Sequence, residues 1–254
     1  MNFIISLRSE LLKTKRTTTF YLCLLTAGFI PILFLLEHSL GSLEPETLKN
    51  PWHAFFNTAL EAFGLVILPF YVILTSTLLP QLEYRNNAWK QVLVSPETKT
   101  SLFLSKFLIF QFFILLAVLL FAALMITSAG LAQLTKPEVV FFSQNSNWSY
   151  FFTTLLDIYI SVVAISAFQF WMGMRFKNFI TPIGIGFAGY ILAALLLFEV
   201  KWELADTFPF TYPFLNIFKD LGTNTAFWKG SALGYTVLFL LLGYIDFIRK
   251  VHKV

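Results

Sequence analysis

The sequence predicts an all-α membrane protein with six spanning helices. Three observations carry that prediction. Hydrophobic residues are 57% of the chain and charged ones only 13%, with a mean hydropathy of +0.73, far more apolar than a soluble domain. The apolar residues gather in runs that meet the roughly 17–25 residues a bilayer core requires. One polar island, residues 81–106, QLEYRNNAWKQVLVSPETKTSLFLSK, separates two of those runs; too charged for hydrocarbon, it belongs at a membrane surface.

Within 254 residues, six spans and modest loops leave no room for a further soluble catalytic domain. The chain opens MNFIISLRSELLKTKRTTT, in which Phe3, Ile4, Leu7, Leu11 and Leu12 recur at helical spacing with Arg8, Lys13, Lys15 and Arg16 in the remaining positions. That pattern predicts a helix over 1–17 lying in the membrane interface. No small-residue cleavage site follows, so the next apolar run reads as an uncleaved first span. Spans are expected at 18–36, 58–79, 107–131, 150–174, 179–198 and 231–248.

Charge orients them. One side of such a bundle holds Arg8, Lys13, Lys15, Arg16, Arg85, Lys90, Lys99, Lys106, Arg175, Lys177, Arg249, Lys250 and Lys253, or 13 of the 18 basic residues. The other holds Lys49, Lys136, Lys201, Lys219 and Lys229. The excess places both termini in the cytoplasm. Glu37, Glu44, Glu46, Glu138, Glu199, Glu203, Asp206 and Asp220 all fall on the opposite side.

Pro31, Pro69 and Pro182 lie inside apolar runs and Pro80 ends one, each removing a backbone donor. They either hinge the helices or reflect the ordinary tolerance of membrane helices for proline. In the fifth run, GIGFAG has the form G-x-G-x-x-G. A dinucleotide fingerprint needs a strand before it and a soluble unit around it, so that reading is rejected. Gly184 with Ala188, and Gly189 with Ala193, instead pair small residues four apart, which suits a close helix contact within the bundle or between subunits.

Three acids lie in or near spans. Asp157, about 10 Å below the outer end of the fourth span, either belongs to a transport pathway or bonds to a Ser, Thr or Tyr of a neighbouring helix. Glu61 is expected to reach the outer interface. Asp246 is expected to pair with Arg249 and Lys250 on its own helix, a surface contact worth little. The outer connection 200–230 carries FPFTYPF, with Trp202, Phe218, Phe227 and Trp228 around it. It reads either as an interfacial anchor or as a re-entrant turn, marked by Pro209, Tyr212 and Pro213, that dips into the bilayer and caps an exit.

Enzyme chemistry finds no residues to use. The single cysteine, Cys23, lies in the first span and supports neither a disulfide framework nor a multi-cysteine metal site. His38, His53 and His252 lack a ligand spacing, so no metal site is predicted. No G-x-x-x-x-G-K-[ST] is present, and no Ser, His and Asp grouping marks a nucleophile. No catalytic residue and no cofactor are therefore expected in this chain; any energy comes from a partner or an ion gradient.

Three motifs follow one another along the chain. The N-terminal helix opens with S-x-x-x-E-x-x-K (Ser6, Glu10, Lys13). After the second span comes E-Y-R-N-N-A-W-K, Glu83 to Lys90, then Ser95-Pro96, then Lys106 at the start of the third span. Between the last two spans, Pro209-Phe210-Thr211-Tyr212-Pro213 gives Pro-aromatic-x-Tyr-Pro. In this order and over nearly the whole chain, they resemble the membrane subunits of type-2 ABC exporters, in the branch of lantibiotic-immunity and bacitracin-resistance permeases. Asn87 stands where that family often has Gly; Asn tolerates a left-handed conformation better than most residues.

The resemblance implies a cytoplasmic coupling helix over residues 82–94, docked in a groove of a separate ATP-binding subunit. Leu82, Trp89, Val92 and Leu93 would be its apolar anchors, and Glu83, Arg85 and Lys90 its polar contacts. It further implies two permease units and two P-loop ATPases, the latter binding ATP and Mg, in a bacterial cytoplasmic membrane. The cargo would be an amphipathic peptide, an antibiotic or an envelope compound expelled from the membrane; membrane lipid is a partner and nucleic acid is not. The competing class uses no ATPase. A secondary transporter usually shows paired discontinuous helices and midplane charges in both halves, and Asp157 alone fits that pattern; an assembly scaffold needs only surfaces.

Overall fold

The structure is a computed structural model that describes residues 3–40, 52–85, 98–135, 141–142, 147–218, 221 and 224–251. Six of its helices are long and apolar enough to cross a membrane, and no strand forms among the described residues. Helix α1 (Phe3–Thr14) precedes them and is joined to α2 (Thr18–Leu40) through Arg16, whose φ of 61° is left-handed. A non-glycine residue there costs about 1–2 kcal/mol, accepted to set the short helix off from the first span.

The second span is built in pieces: a π-helical turn (His53–Asn57), α3 (Thr58–Ala62), a second π-helical turn (Phe63–Ile67) and α4 (Leu68–Arg85). Pro69 explains the second π turn. It has no N–H to give the carbonyl of Leu65, and its ring would collide with that carbonyl in a regular helix. Widening the turn just before the proline relieves the collision. The freed Leu65 carbonyl accepts a hydrogen bond from the Tyr190 hydroxyl on the fifth span. Pro80, expected to end the span, lies inside α4, which runs on to Arg85.

Helix α5 (Lys99–Thr135) is 37 residues long and contains no proline, giving a continuous helix of about 55 Å at 1.5 Å per residue. It extends well beyond the expected 107–131 because its first turns are held by neighbouring helices. Helix α6 (Trp148–Arg175) starts at Asn147, whose side chain accepts from the Tyr150 N–H at 3.0 Å. A short link leads to α7 (Ile180–Phe198), where Asn178 caps the Ile180 N–H. The next connection folds into two 3-10 turns (Ala205–Thr207 and Pro209–Thr211) and a short helix, α8 (Tyr212–Ile217). Helix α9 (Thr225–Val251) begins six residues before the expected 231, because the Asn224 side chain caps it at the Ala226 N–H.

In the packing, α2 lies along α5, α4 along α6 and α6 along α9. At Gly173 the fit of α6 on α4 admits no side chain, since a Cβ there would stand 2.4 Å from the Ser76 carbonyl oxygen. The expected small-residue pairs separate: Gly184 and Ala188 are exposed, whereas Gly189 lies under the Phe210 ring and Ala193 is fully buried. Between spans two and three, Phe63 and Phe121 stack at 3.9 Å.

Candidate functional site

Helix α1 is amphipathic in an inverted sense. Ser6, Glu10 and Thr14, spaced four apart, form its buried face, while Ile4, Leu11 and Leu12 are exposed. The polar face meets the first turns of α5. Ser6 donates to Ser105 Oγ at 3.0 Å, and one turn along, Glu10 meets Lys106. The Glu10 carboxylate accepts from Lys106 Nζ at 2.8 Å and from Lys13 Nζ at 2.6 Å. Both Glu10 and Lys106 are 7% exposed. Burial alone would raise the Glu10 pKa, but the two ammonium groups outweigh it and hold the carboxyl below its ordinary value.

Beside this pair is a cleft of about 20 Å³, room for about one water, closed by Leu79 and Pro80 of α4 and Phe170 of α6. Phe170 is in turn ringed by Phe103, Phe107 and Phe110 of α5. The amide of Gln81, one residue beyond Pro80, donates to the Lys177 carbonyl at 2.7 Å in the link before α7. Of the expected coupling residues, Leu82, Glu83 and Arg85 fall in the last turn of α4. Trp89, Lys90, Val92 and Leu93 lie outside the described residues.

Asp246 does not pair with its own helix as expected. It receives Arg175 at 3.3 Å and the Trp171 indole N–H at 3.3 Å, both from the end of α6. Gly243 makes room for this, because Trp171 packs on its backbone one turn earlier. The Thr100 and Tyr244 hydroxyls join α5 to α9 nearby.

At the other end of the bundle, Asp157 is bound not by a hydroxyl but by Lys229 Nζ at 2.6 Å, with side chains 23% and 30% exposed. Lys229 also lies 5.6 Å from the centre of the Trp228 ring. The early start of α9 places Lys229 on the helix facing α6 rather than in a loop. Glu61 is exposed. Pro209, Tyr212 and Pro213 are all buried. The segment folds back between helices so that Phe210 packs on Gly189, halfway along α7, and edge-on against Phe168 of α6. His38 is buried and donates Nε2–H to the Ala132 carbonyl at 3.1 Å.

Sequence reading missed a polar chain between α5 and α6. Gln111 donates to Ser166 Oγ at 2.6 Å and accepts from the Tyr159 hydroxyl at 3.1 Å. The signal was a lone Gln inside FLIFQFFILL, where an amide in hydrocarbon requires a partner.

The sequence model of the ABC-2 family transporter proteins matches residues 6–193, from the buried face of α1 to the middle of α7. The chain belongs to the ABC-2 family. It is a multi-pass membrane protein, a permease component of the kind that generally carries no catalytic site of its own and normally works with an ATPase partner. Ser6, Glu10 and Lys13 lie within the matched span, as do Lys106 and Asp157; Pro209, Tyr212 and Pro213 lie beyond it. A search among curated proteins found no match.

Proposed function

We propose that this permease is the membrane subunit of an ATP-driven exporter of the lantibiotic-immunity and bacitracin-resistance type. It moves an amphipathic peptide, antibiotic or envelope compound out of a bacterial cytoplasmic membrane. The observation that carries this reading is the convergence of α1, α4 and α5 at one end of the bundle, where Leu79 and Pro80 of α4 line the cleft beside the Glu10–Lys106 pair and the helix runs on to Arg85. That end is cytoplasmic by the distribution of basic residues, and both termini with it. Helix α1 lies in the interface, its exposed Ile4, Leu11 and Leu12 in lipid.

Residues 82–94 dock as a coupling helix on a P-loop ATPase that binds ATP and Mg. Two permease units and two ATPases make the working transporter, and nucleotide-driven closing of the ATPases switches the paired bundles. At the outer end, the segment through Pro209, Tyr212 and Pro213 is re-entrant, supported by the position of Phe210 at mid-length of α7. Asp157 lies on the cargo pathway, where Lys229 neutralises it at rest.

Affinity purification in mild detergent tests the reading: a P-loop ATPase of separate sequence should accompany the chain. Trp89→Ala should insert normally and lose that partner. A wild-type preparation that transports without any ATPase would instead make this a secondary transporter, and one that neither transports nor binds an ATPase would leave a scaffold. Full export by a correctly inserted Asp157→Ala variant would remove Asp157 from the pathway.

A further inference from the structure

Three mechanical properties meet at the α1 end of the bundle. The second span is interrupted, with two π-helical turns ahead of α4 and Pro69 in its first turn, so its end can swing about that weak point. Helix α5 is continuous over 37 residues without proline, so a displacement at one end is carried to the other. Between the two lies a carboxylate, 7% exposed and gripped from two helices by Lys106 and Lys13, with Leu79 and Pro80 of α4 closing the same cleft.

A buried ion pair is a poor device for stability alone, because the cost of removing both charges from water offsets most of their attraction. What it supplies is direction. The charge-assisted bond from Lys106 at 2.8 Å fixes α1 on α5 at one register, Lys13 of α1 itself holds the same carboxylate at 2.6 Å, and Ser6 on Ser105 repeats that register one turn away. An apolar contact in the same place would let the helices slide.

We propose that Glu10 is a positioning residue, the tie by which movement at the end of α4 is passed through Lys106 to tilting of α5. This inference rests on the reading that a separate ATPase engages the segment after α4. The swing of α4 presses Leu79 and Pro80 on the Glu10–Lys106 tie, and the stiff α5 carries the displacement to its far end at Leu134. Glu10 itself touches neither ATPase nor cargo.

The test uses the full chain with the ATPase that co-purifies with it, in proteoliposomes. Cys23 is 1% exposed, so an environment-sensitive thiol dye can be placed on Leu134→Cys, a position 79% exposed at the far end of α5. In the otherwise unchanged chain, ATP, Mg and vanadate should shift the dye emission. With Glu10→Gln, the ATPase should still co-purify in full, while the emission shift falls by about fivefold or more, the lower end of a typical coupling factor. Glu10→Asp, which keeps a carboxylate between Lys106 and Lys13, should retain the shift to within about twofold.

Glu10→Leu with Lys106→Met keeps the volume and removes the direction; it should fold and bind the ATPase but remain uncoupled. If that apolar pair, or Glu10→Gln, responds to nucleotide as the parent does, the tie is merely structural and the inference is overturned. If the parent chain brings down no ATPase, the proposed function fails first and this inference with it, a result distinct from a responsive parent with a responsive variant.

Discussion

Where α1 meets the bundle, the helices are joined by charges and directed hydrogen bonds: Glu10 to Lys106, Ser6 to Ser105, Thr100 to Tyr244, Arg175 and Trp171 to Asp246, Gln81 to the Lys177 carbonyl. At the opposite end, spans two and four are joined mainly by rings. Trp52 stacks on Phe56 at 4.3 Å and meets Trp148 edge-on, and Phe56 meets Phe151 edge-on. Directed bonds hold one register and break abruptly when it is lost. Ring contacts accept a range of offsets and angles at nearly equal energy. The first end is therefore built to keep its helices in step, whereas at the second the seam between spans two and four can shift while the Asp157–Lys229 pair keeps α6 on α9, a division of labour that suits a bundle pushed at one end and opening at the other.

The largest expected effect tests the charged end. Glu10→Ala takes from the buried Lys106 its carboxylate partner on α1, and breaking such a pair from one side costs about 3–5 kcal/mol. Thermal unfolding in detergent should show a large fall in midpoint. The double replacement Glu10→Leu with Lys106→Met should unfold close to the parent, because both desolvation costs vanish together. A single variant as stable as the parent would mean that the end is not held by this pair.

Next comes the seam that both ends share. Gly173→Ala puts a methyl against the Ser76 carbonyl, where backbone rather than a pliable side chain must give way. The expected loss is about 1–3 kcal/mol by the same unfolding measurement, with α4 and α6 forced apart. Gly184→Ala, whose Cβ meets nothing within 4 Å, is the matched control and should cost little.

A smaller effect is expected at the ring-packed end. Phe56 is fully buried against Trp52 and Phe151, yet Phe56→Leu keeps much of its volume and loses mainly the ring geometry. A loss of about 1 kcal/mol would follow, near the value of one aromatic pair. A loss as large as that for Glu10→Ala would erase the contrast between the two ends.

Much of this bundle could be read from hydropathy, because bilayer thickness sets the length of an apolar run directly, and all six spans fall where such runs lie. The contacts were less legible. The motif residues Ser6, Glu10 and Lys13 were visible, but an apolar face is ordinarily taken as the buried one; on α1 Ile4, Leu11 and Leu12 are exposed along with Arg8 and Lys13, and the packed stripe is the polar Ser6, Glu10 and Thr14. Asp246 invited a partner at helical spacing, and Arg175, distant in sequence, holds it instead. Lys229 was hidden by a helix start that depends on one Asn cap, and the Tyr190 bond to Leu65 by a proline four residues further on. Local periodicity sees none of these, since each depends on which helices become neighbours.

The smallest expected effect is a dependence on pH confined to the charged end. Among the described residues, the charged groups facing Glu10 are Lys13 on its own helix and Lys106 on α5, with Leu79 and Pro80 of α4 and Phe170 of α6 lining the cleft beside it. Both cations favour the ionised carboxylate, so its folded pKa lies below the ordinary value of 4.5 that the unfolded chain would show. Unfolding then takes up a proton in the acid range, and stability from this group is complete above about pH 4.5 and drains away as pH falls through the lower folded value. Glu10→Gln cannot titrate and should lack that portion of the slope, so parent and variant unfolding midpoints should run parallel at neutral pH and converge as the pH is lowered through 4.5. Curves that stay parallel below about pH 4.5 would mean that the carboxylate gains nothing from its two cations, and the directed register assigned to this end would lose its physical basis.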